Sequence, residues 1–206
     1  MCKYIEIECE WNRAVAIDYH NIDSAPEVRT TSIDSLPLNF TDLGNLVKQA
    51  KYSNNDFAIS EIARRAVGVT ELLQPIEKIY YVPSRDSRSL ISVRVANALC
   101  QNLELVKPDQ AFDWKLFLNY QKGMDKRDVE KIVESALINN GFRRHTLKTN
   151  ILILDDTLWS GSTIHLAYTF LKAFYDEAGI KILCLTKIRD DYTGHKMLPF
   201  TKKEEL

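Results

Sequence analysis

No apolar run in this chain approaches the roughly 20 residues needed to cross a bilayer, so no membrane-spanning helix is expected. The amino-terminal residues include acidic groups where a signal peptide would be apolar. Cysteine is scarce and scattered. Cys2, Cys9, Cys100 and Cys184 form no C-x-x-C pair, so neither a disulfide framework nor a zinc site is indicated, and a reducing, cytoplasmic setting is the expectation. His20, His145, His165 and His195 show no ligand spacing. Neither sign of charge prevails: a formal net charge of −1 gives no general attraction to nucleic acid or to an acidic membrane. There is no evident basic face or separate DNA-binding module of the kind a transcription regulator needs. A glycine-rich dinucleotide fingerprint and a G-x-x-x-x-G-K-[ST] loop are both missing, which disfavours other nucleotide-using enzymes on a doubly wound sheet. Repeats and low-complexity tracts are absent as well.

What is present suits one α/β domain with an elaboration. At 206 residues the chain is too short for two full domains, and its 45% hydrophobic content can build a substantial core. Residues 3–9 and 13–19 read as strands, with Glu10, Trp11 and Asn12 as the turn of a hairpin. Residues 21–40, with Pro26 and Pro37, read as a connecting loop. Thr41 is placed to cap a helix carrying Leu43, Leu46, Val47 and Ala50 on one face, and a second helix should follow Asn54-Asn55. The core strand Ile79–Val82 ends at Pro83 and the polar loop 84–88. A helix over 89–101 leads to a strand Leu103–Val106, then to a long charged connection over 107–127. Val129, Ile132, Val133, Ala136 and Leu137 mark another helix, and Ile180–Leu185 a last strand. Strands alternating with helices predict a parallel sheet covered on both faces, with ligands at the carboxyl ends of its strands.

The most informative stretch is Asp155-Asp156-Thr157-Leu158-Trp159-Ser160-Gly161-Ser162-Thr163. It follows the apolar run Ile151–Leu154 and precedes a helix with Ile164, Ala167, Leu171 and Phe174 on one face. Strand, polar turn, helix is the expected order. The two carboxylates can accept hydrogen bonds from a diol. The N–H groups and hydroxyls of 157–163, at a helix amino terminus, can hold a phosphate dianion. A sugar phosphate with a cis-diol satisfies both halves; the competing reading is an ordinary strand-to-helix turn with an Asp cap.

These nine residues resemble the phosphoribosyl-pyrophosphate (PRPP) motif of type I phosphoribosyltransferases. That motif has four apolar residues, two acidic, two mostly apolar positions, a small one, then Thr/Ser-Thr/Ser-Gly-x-Thr. Trp159 stands where a small residue is usual. Residues 43–186 together are similar to competence-protein-F-like phosphoribosyltransferases, without the zinc-binding cysteine module found ahead of that domain; Lys51-Tyr52, Gln121 and Arg127 carry this part of the likeness. The resemblance implies an α/β fold with a type I phosphoribosyltransferase-like parallel sheet flanked by helices. It also implies a division into an N-terminal β-hairpin and connecting loop over 1–40 (a hood over the site), the transferase-like domain over 41–196, and a charged tail over 197–206.

By the same resemblance, Asp155 and Asp156 engage the ribose hydroxyls, hold Mg²⁺ mostly indirectly, and stabilise the transition state. Thr157, Ser160, Gly161, Ser162 and Thr163 bind the 5′-phosphate. Ser84, Arg85, Ser87 and Arg88 hold the pyrophosphate, a role guanidinium forks suit because they pair bidentately with phosphate oxygens. Lys122, Lys126 and Arg127 belong to a mobile lid, for which the competing reading is a charged loop with Asp125 capping the next helix. Lys51 and Tyr52 could reach the ligand, against a solvated Lys51 and a packed Tyr52; His165, in the first helical turn, could approach the site, against a surface helix residue. The expected reaction moves phosphoribose from PRPP to a nitrogenous base and releases pyrophosphate. A non-catalytic PRPP- or nucleotide-binding regulatory protein on the same fold remains the alternative. The acceptor base meets the hood and the backbone near Lys187 to Asp191, and nothing in 1–40 specifies the ring. The family commonly forms homodimers.

Overall fold

The computed structural model describes residues 4–7, 9, 13–22, 39–85, 89–121, 124–142 and 145–189. Its centre is a six-stranded sheet. The strands, in chain order, are β1 (Ile5–Glu6), β2 (Arg13–Tyr19), β3 (Lys78–Tyr81), β4 (Asp109–Gln110), β5 (Asn150–Leu158) and β6 (Gly179–Lys187). They lie in the order β1-β2-β6-β5-β3-β4, with every neighbouring pair parallel except β1 with β2. The fold is therefore α/β with a mostly parallel sheet. Because both faces are covered, its central strands are apolar on both sides. Ile151 and Ile153 of β5 face one core while Leu152 and Leu154 face the other; Ala14 and Ala16 oppose Val15 and Ile17 in β2 in the same way.

Helices α1 (Asp42–Ser53), α2 (Asp56–Thr70) and α3 (Ile91–Asn102) cover one face, and α4 (Lys126–Asn139) and α5 (Ser162–Phe174) the other. Their starts follow the sequence signals. Gly44 N–H donates to Thr41 Oγ1, Ala58 N–H to Asn55 Oδ1, and Asp128 N–H to Asp125 Oδ1. Asp125 thus caps α4, as the competing reading of the lid segment had it.

Three expectations are corrected. Residues 103–106 form no strand. The chain turns back after α3, with Glu104 at φ 54° and Leu105 N–H bonded to the Cys100 carbonyl, so that Leu103 and Leu105 pack against the helical layer. The strand beside β3 is β4 instead, at Asp109–Gln110. Secondly, the connection over 107–127 is more than a charged loop: Phe112, Phe117 and Tyr120 are buried, and Trp114–Phe117 is a short 3₁₀ turn. Thirdly, β5 does not stop at the carboxylates but runs on to Leu158. At the amino terminus β1 and β2 pair antiparallel, and β2 is itself a sheet strand, parallel to β6 along its length. Glu10, Trp11 and Asn12 lie outside the described residues, as does 23–38.

Lys181, near the start of β6, donates to three successive carbonyls, those of Leu73 (2.8 Å), Gln74 (2.8 Å) and Pro75 (3.1 Å). It ties the turn after α2 to the amino-terminal end of an interior strand, remote from the strand carboxyl ends. Lys181→Met is expected to lower stability by about 1–2 kcal/mol, read by chemical denaturation, with ligand binding unchanged. A loss confined to binding would contradict this placement.

Candidate functional site

From β3 the chain passes over one face through α3 to β4 at the sheet edge. It then returns through α4 on the opposite face to enter β5 on the other side of β3. The loops leaving β3 and β5 therefore diverge to opposite faces, and a crevice opens between the two carboxyl ends. Pairing of β3 with β5 ends at Leu154, where Val82 N–H donates to the Leu154 carbonyl, whereas β6 accompanies β5 to Leu158. Asp155, Asp156 and Thr157 lie in this unevenly paired extension. The cavity here measures about 250 Å³ and is lined by Lys51, Ser84, Arg85, Trp114, Tyr120 and both aspartates, together with Thr157 and Thr163.

Strand alternation sends the two carboxylates to opposite sides of β5. Asp155 is 8% exposed, and its Oδ1 accepts the Asp156 N–H at 2.9 Å. Asp156 meets Lys51, at the end of α1, with Nζ to Oδ2 3.4 Å. Of the two residues read as able to reach the ligand, Lys51 lines the cavity, and Tyr52 is half-exposed rather than packed. Behind the strand, Thr186 Oγ1 lies 3.2 Å from the Asp156 carbonyl oxygen, 3.3 Å from Thr157 Oγ1 and 3.0 Å from His20 Nδ1. A buried polar chain thus braces the extension. Cys184, opposite Asp155 in β6, is fully buried; burial, reinforced by the two carboxylates, pushes its thiol well above the usual range, so it serves as packing.

The turn into α5 pivots on Gly161 at φ 74°, a left-handed conformation that glycine takes without a Cβ penalty. Ser162 is completely buried, with its Oγ 3.0 Å from Ser160 Oγ. The Tyr120 hydroxyl sits against the helix start, 2.8 Å from Ser162 Oγ and 3.0 Å from Thr163 Oγ1. Burial raises the Tyr120 phenol above its ordinary value, against the lowering influence of these hydroxyls and Arg85, so it keeps its proton at neutral pH.

Across the crevice, Arg85 Nη2 donates to the Tyr120 carbonyl at 2.7 Å. Its guanidinium lies over the Trp114 ring at 4.5 Å and the Tyr120 ring at 5.2 Å. Trp114 Nε1–H donates to the Pro83 carbonyl at 2.9 Å, which anchors the indole to the loop after β3.

The fold thus brings together Asp155, Asp156, Thr157, Thr163, Ser84 and Arg85, with Ser160, Gly161 and Ser162 forming the adjoining turn. Ser87, Arg88 and Lys122 lie outside the described residues, as do Asp190 and Asp191. Lys126 and Arg127 occupy the exposed first turn of α4; Lys126 lines a separate groove with Glu130, Tyr168 and Lys172. His165 is buried rather than on the surface, its Nε2 3.4 Å from Thr169 Oγ1. Trp159 is partly buried. Two contributors escaped the sequence reading, Trp114 and Tyr120. Their signal was the run of aromatics at 112, 114, 117 and 120 inside a connection otherwise read as charged and solvated.

Among the described lining residues, Lys51 and Arg85 offset Asp155 and Asp156 in formal charge. No group of three or more His, Cys, Asp or Glu among the described residues could hold a metal alone. The carboxylates lining the cavity are those of Asp155 and Asp156, oxygen donors of the kind a magnesium ion takes. No helix among the described residues is long and apolar enough to cross a membrane. Comparison with protein-family models, curated proteins and solved structures finds no match for this chain.

Proposed function

We propose that the crevice binds the phosphorylated pentose of PRPP, on a type I phosphoribosyltransferase-like fold, and that the protein transfers phosphoribose to a nitrogenous base. One observation carries the reading: Asp155, Asp156, Arg85, and Thr157 and Thr163 at the two ends of the hydroxyl-bearing turn line one cavity at the strand-order switch.

Asp155 and Asp156 accept hydrogen bonds from the ribose hydroxyls and oppose the positive charge that develops at the anomeric carbon. That charge develops as the bond to the pyrophosphate oxygen breaks and the bond to the base nitrogen forms. Arg85 and Lys51 face the leaving group, and the aromatic wall keeps water from the reacting carbon. Asp155 and Asp156 would hold magnesium, mainly through water, and the ion supplies charge neutralisation of the departing pyrophosphate.

The experiment is incubation with PRPP, Mg²⁺ and a panel of purine and pyrimidine bases, with pyrophosphate release as the readout. Release that depends on one base is the expected result. Saturable PRPP binding without turnover on any base would overturn the transferase assignment in favour of a PRPP-binding regulatory protein. That second reading draws on the pairing of Lys51 with Asp156 and of Tyr120 with the phosphate turn, contacts that hold the site closed on itself.

A further inference from the structure

Tyr120 touches both halves of the crevice. Its hydroxyl lies 2.8 and 3.0 Å from the two hydroxyls that open α5. Its carbonyl accepts from Arg85, and its ring lies under the same guanidinium. Trp114, 4.5 Å from that guanidinium and 5.7 Å from the Tyr120 ring centroid, completes the cluster and is bonded to the loop after β3. At 3% exposure, the tyrosine is a buried group whose hydroxyl points into the proposed ligand site and whose carbonyl holds the site's cation, while its N–H donates to the Phe117 carbonyl.

We propose that the Tyr120 hydroxyl stands in for a phosphate oxygen at the start of α5, so that phosphate binding must displace it and thereby releases Arg85 toward the ligand. The inference rests on the sugar-phosphate reading of the site and goes beyond it by assigning a competing group and a coupling. A phosphate oxygen taking the Ser162 and Thr163 hydroxyls needs the volume the phenol oxygen fills, since both sit at hydrogen-bond distance from the same two atoms. Once the phenol leaves, its ring leaves the guanidinium with it. Arg85 then loses one of its two ring faces and turns from the neutral Tyr120 carbonyl to the pyrophosphate oxygens, which bind it better because they carry charge. Occupation of the 5′-phosphate subsite thus prepares the pyrophosphate subsite, and the positive cooperativity comes from removing a shared internal partner.

The sign of one substitution separates this role from that of an ordinary ligand residue. Tyr120→Phe keeps the ring and its packing and deletes only the competing hydroxyl. It is expected to bind ribose 5-phosphate on the order of tenfold more tightly than the native chain, as removal of a competing hydrogen-bonded group predicts. Calorimetric titration with ribose 5-phosphate, with inorganic phosphate alongside, reads this directly. Tryptophan emission gives an independent readout. Ribose 5-phosphate should change the emission of the native chain, and most of that change should vanish in Trp114→Phe, because the indole loses its guanidinium neighbour. Unchanged or weaker binding in Tyr120→Phe, with the native chain still binding, overturns the stand-in role while leaving the sugar-phosphate site intact. Binding without any Trp114-dependent change overturns the coupling to Arg85. Failure of both chains to bind either probe overturns the sugar-phosphate reading itself, and this inference with it.

Discussion

Asp155→Asn/Asp156→Asn is expected to abolish measurable binding of PRPP and ribose 5-phosphate while the protein stays folded. Each carboxylate offers a ribose hydroxyl an ionised acceptor worth about 1.5–3 kcal/mol, so losing both costs about 3–6 kcal/mol, or roughly two to four powers of ten in affinity. The fold should tolerate the change because asparagine keeps the shape of aspartate. Its Oδ1 can still accept the Asp156 N–H that Asp155 now holds at 2.9 Å, and the apolar packing of Ile151–Leu154 is untouched. Lys51 loses its ionic partner, but the pair is partly solvated, with side-chain exposures of 29% and 17%, so the energetic loss is modest. Thermal melting within a few degrees of the native chain, beside a flat calorimetric trace, is the expected pair of results. Retained affinity would remove the carboxylates from the site.

The second large effect is expected at Gly44, where two physical rules give opposite signs. Helix propensity alone favours Gly44→Ala by about 1 kcal/mol. Packing opposes it, because a Cβ at this position would collide with the backbone carbonyl of His20 and press on Thr41 Oγ1 at 3.2 Å. The carbonyl has little room to yield: His20 N–H donates to the Lys187 carbonyl at 2.8 Å, and the His20 carbonyl accepts from Thr41 N–H at 3.2 Å. Overpacking against pinned backbone costs about 1–3 kcal/mol or more, which exceeds the propensity gain. A net destabilisation of about 1–2 kcal/mol, or a fall in Tm of roughly 2–8 °C for a chain of this size, is expected. Because α1 carries Lys51 and His20 braces Thr186, ligand affinity should fall as well. A rise in Tm would show that α1 does not approach β2 as closely as described.

Much of the framework was readable because it rests on local chemistry. The run Ile151–Leu154 is apolar on both faces and could only be a covered strand; Thr41 and Asn55 are short polar side chains ahead of apolar periodicity, and both cap their helices. The segment 103–106 misled because alternation in Leu103, Glu104 and Leu105 is satisfied equally by a chain folding back on a helix end, where Glu104 adopts a left-handed turn. The parallel pairing of β2 with β6 was not legible, since strand order is set by packing between distant segments rather than by either strand's own pattern. In the site, Asp155, Asp156 and the turn into α5 could be named from spacing. Lys51 enters the cavity because α1 packs over β2 and β6, a relation no window of sequence contains. Tyr120 and Trp114 were hidden by the charged residues around them; side-chain burial, not composition, gives that segment its role.

The central claim is that the cavity at the strand-order switch is a phosphopentose site, and calorimetric titration with PRPP and Mg²⁺, run beside ribose 5-phosphate and AMP, tests it most directly. Saturable binding of PRPP and ribose 5-phosphate that disappears in the Asp155/Asp156 double variant is expected. A folded native protein that binds none of the three ligands would contradict it.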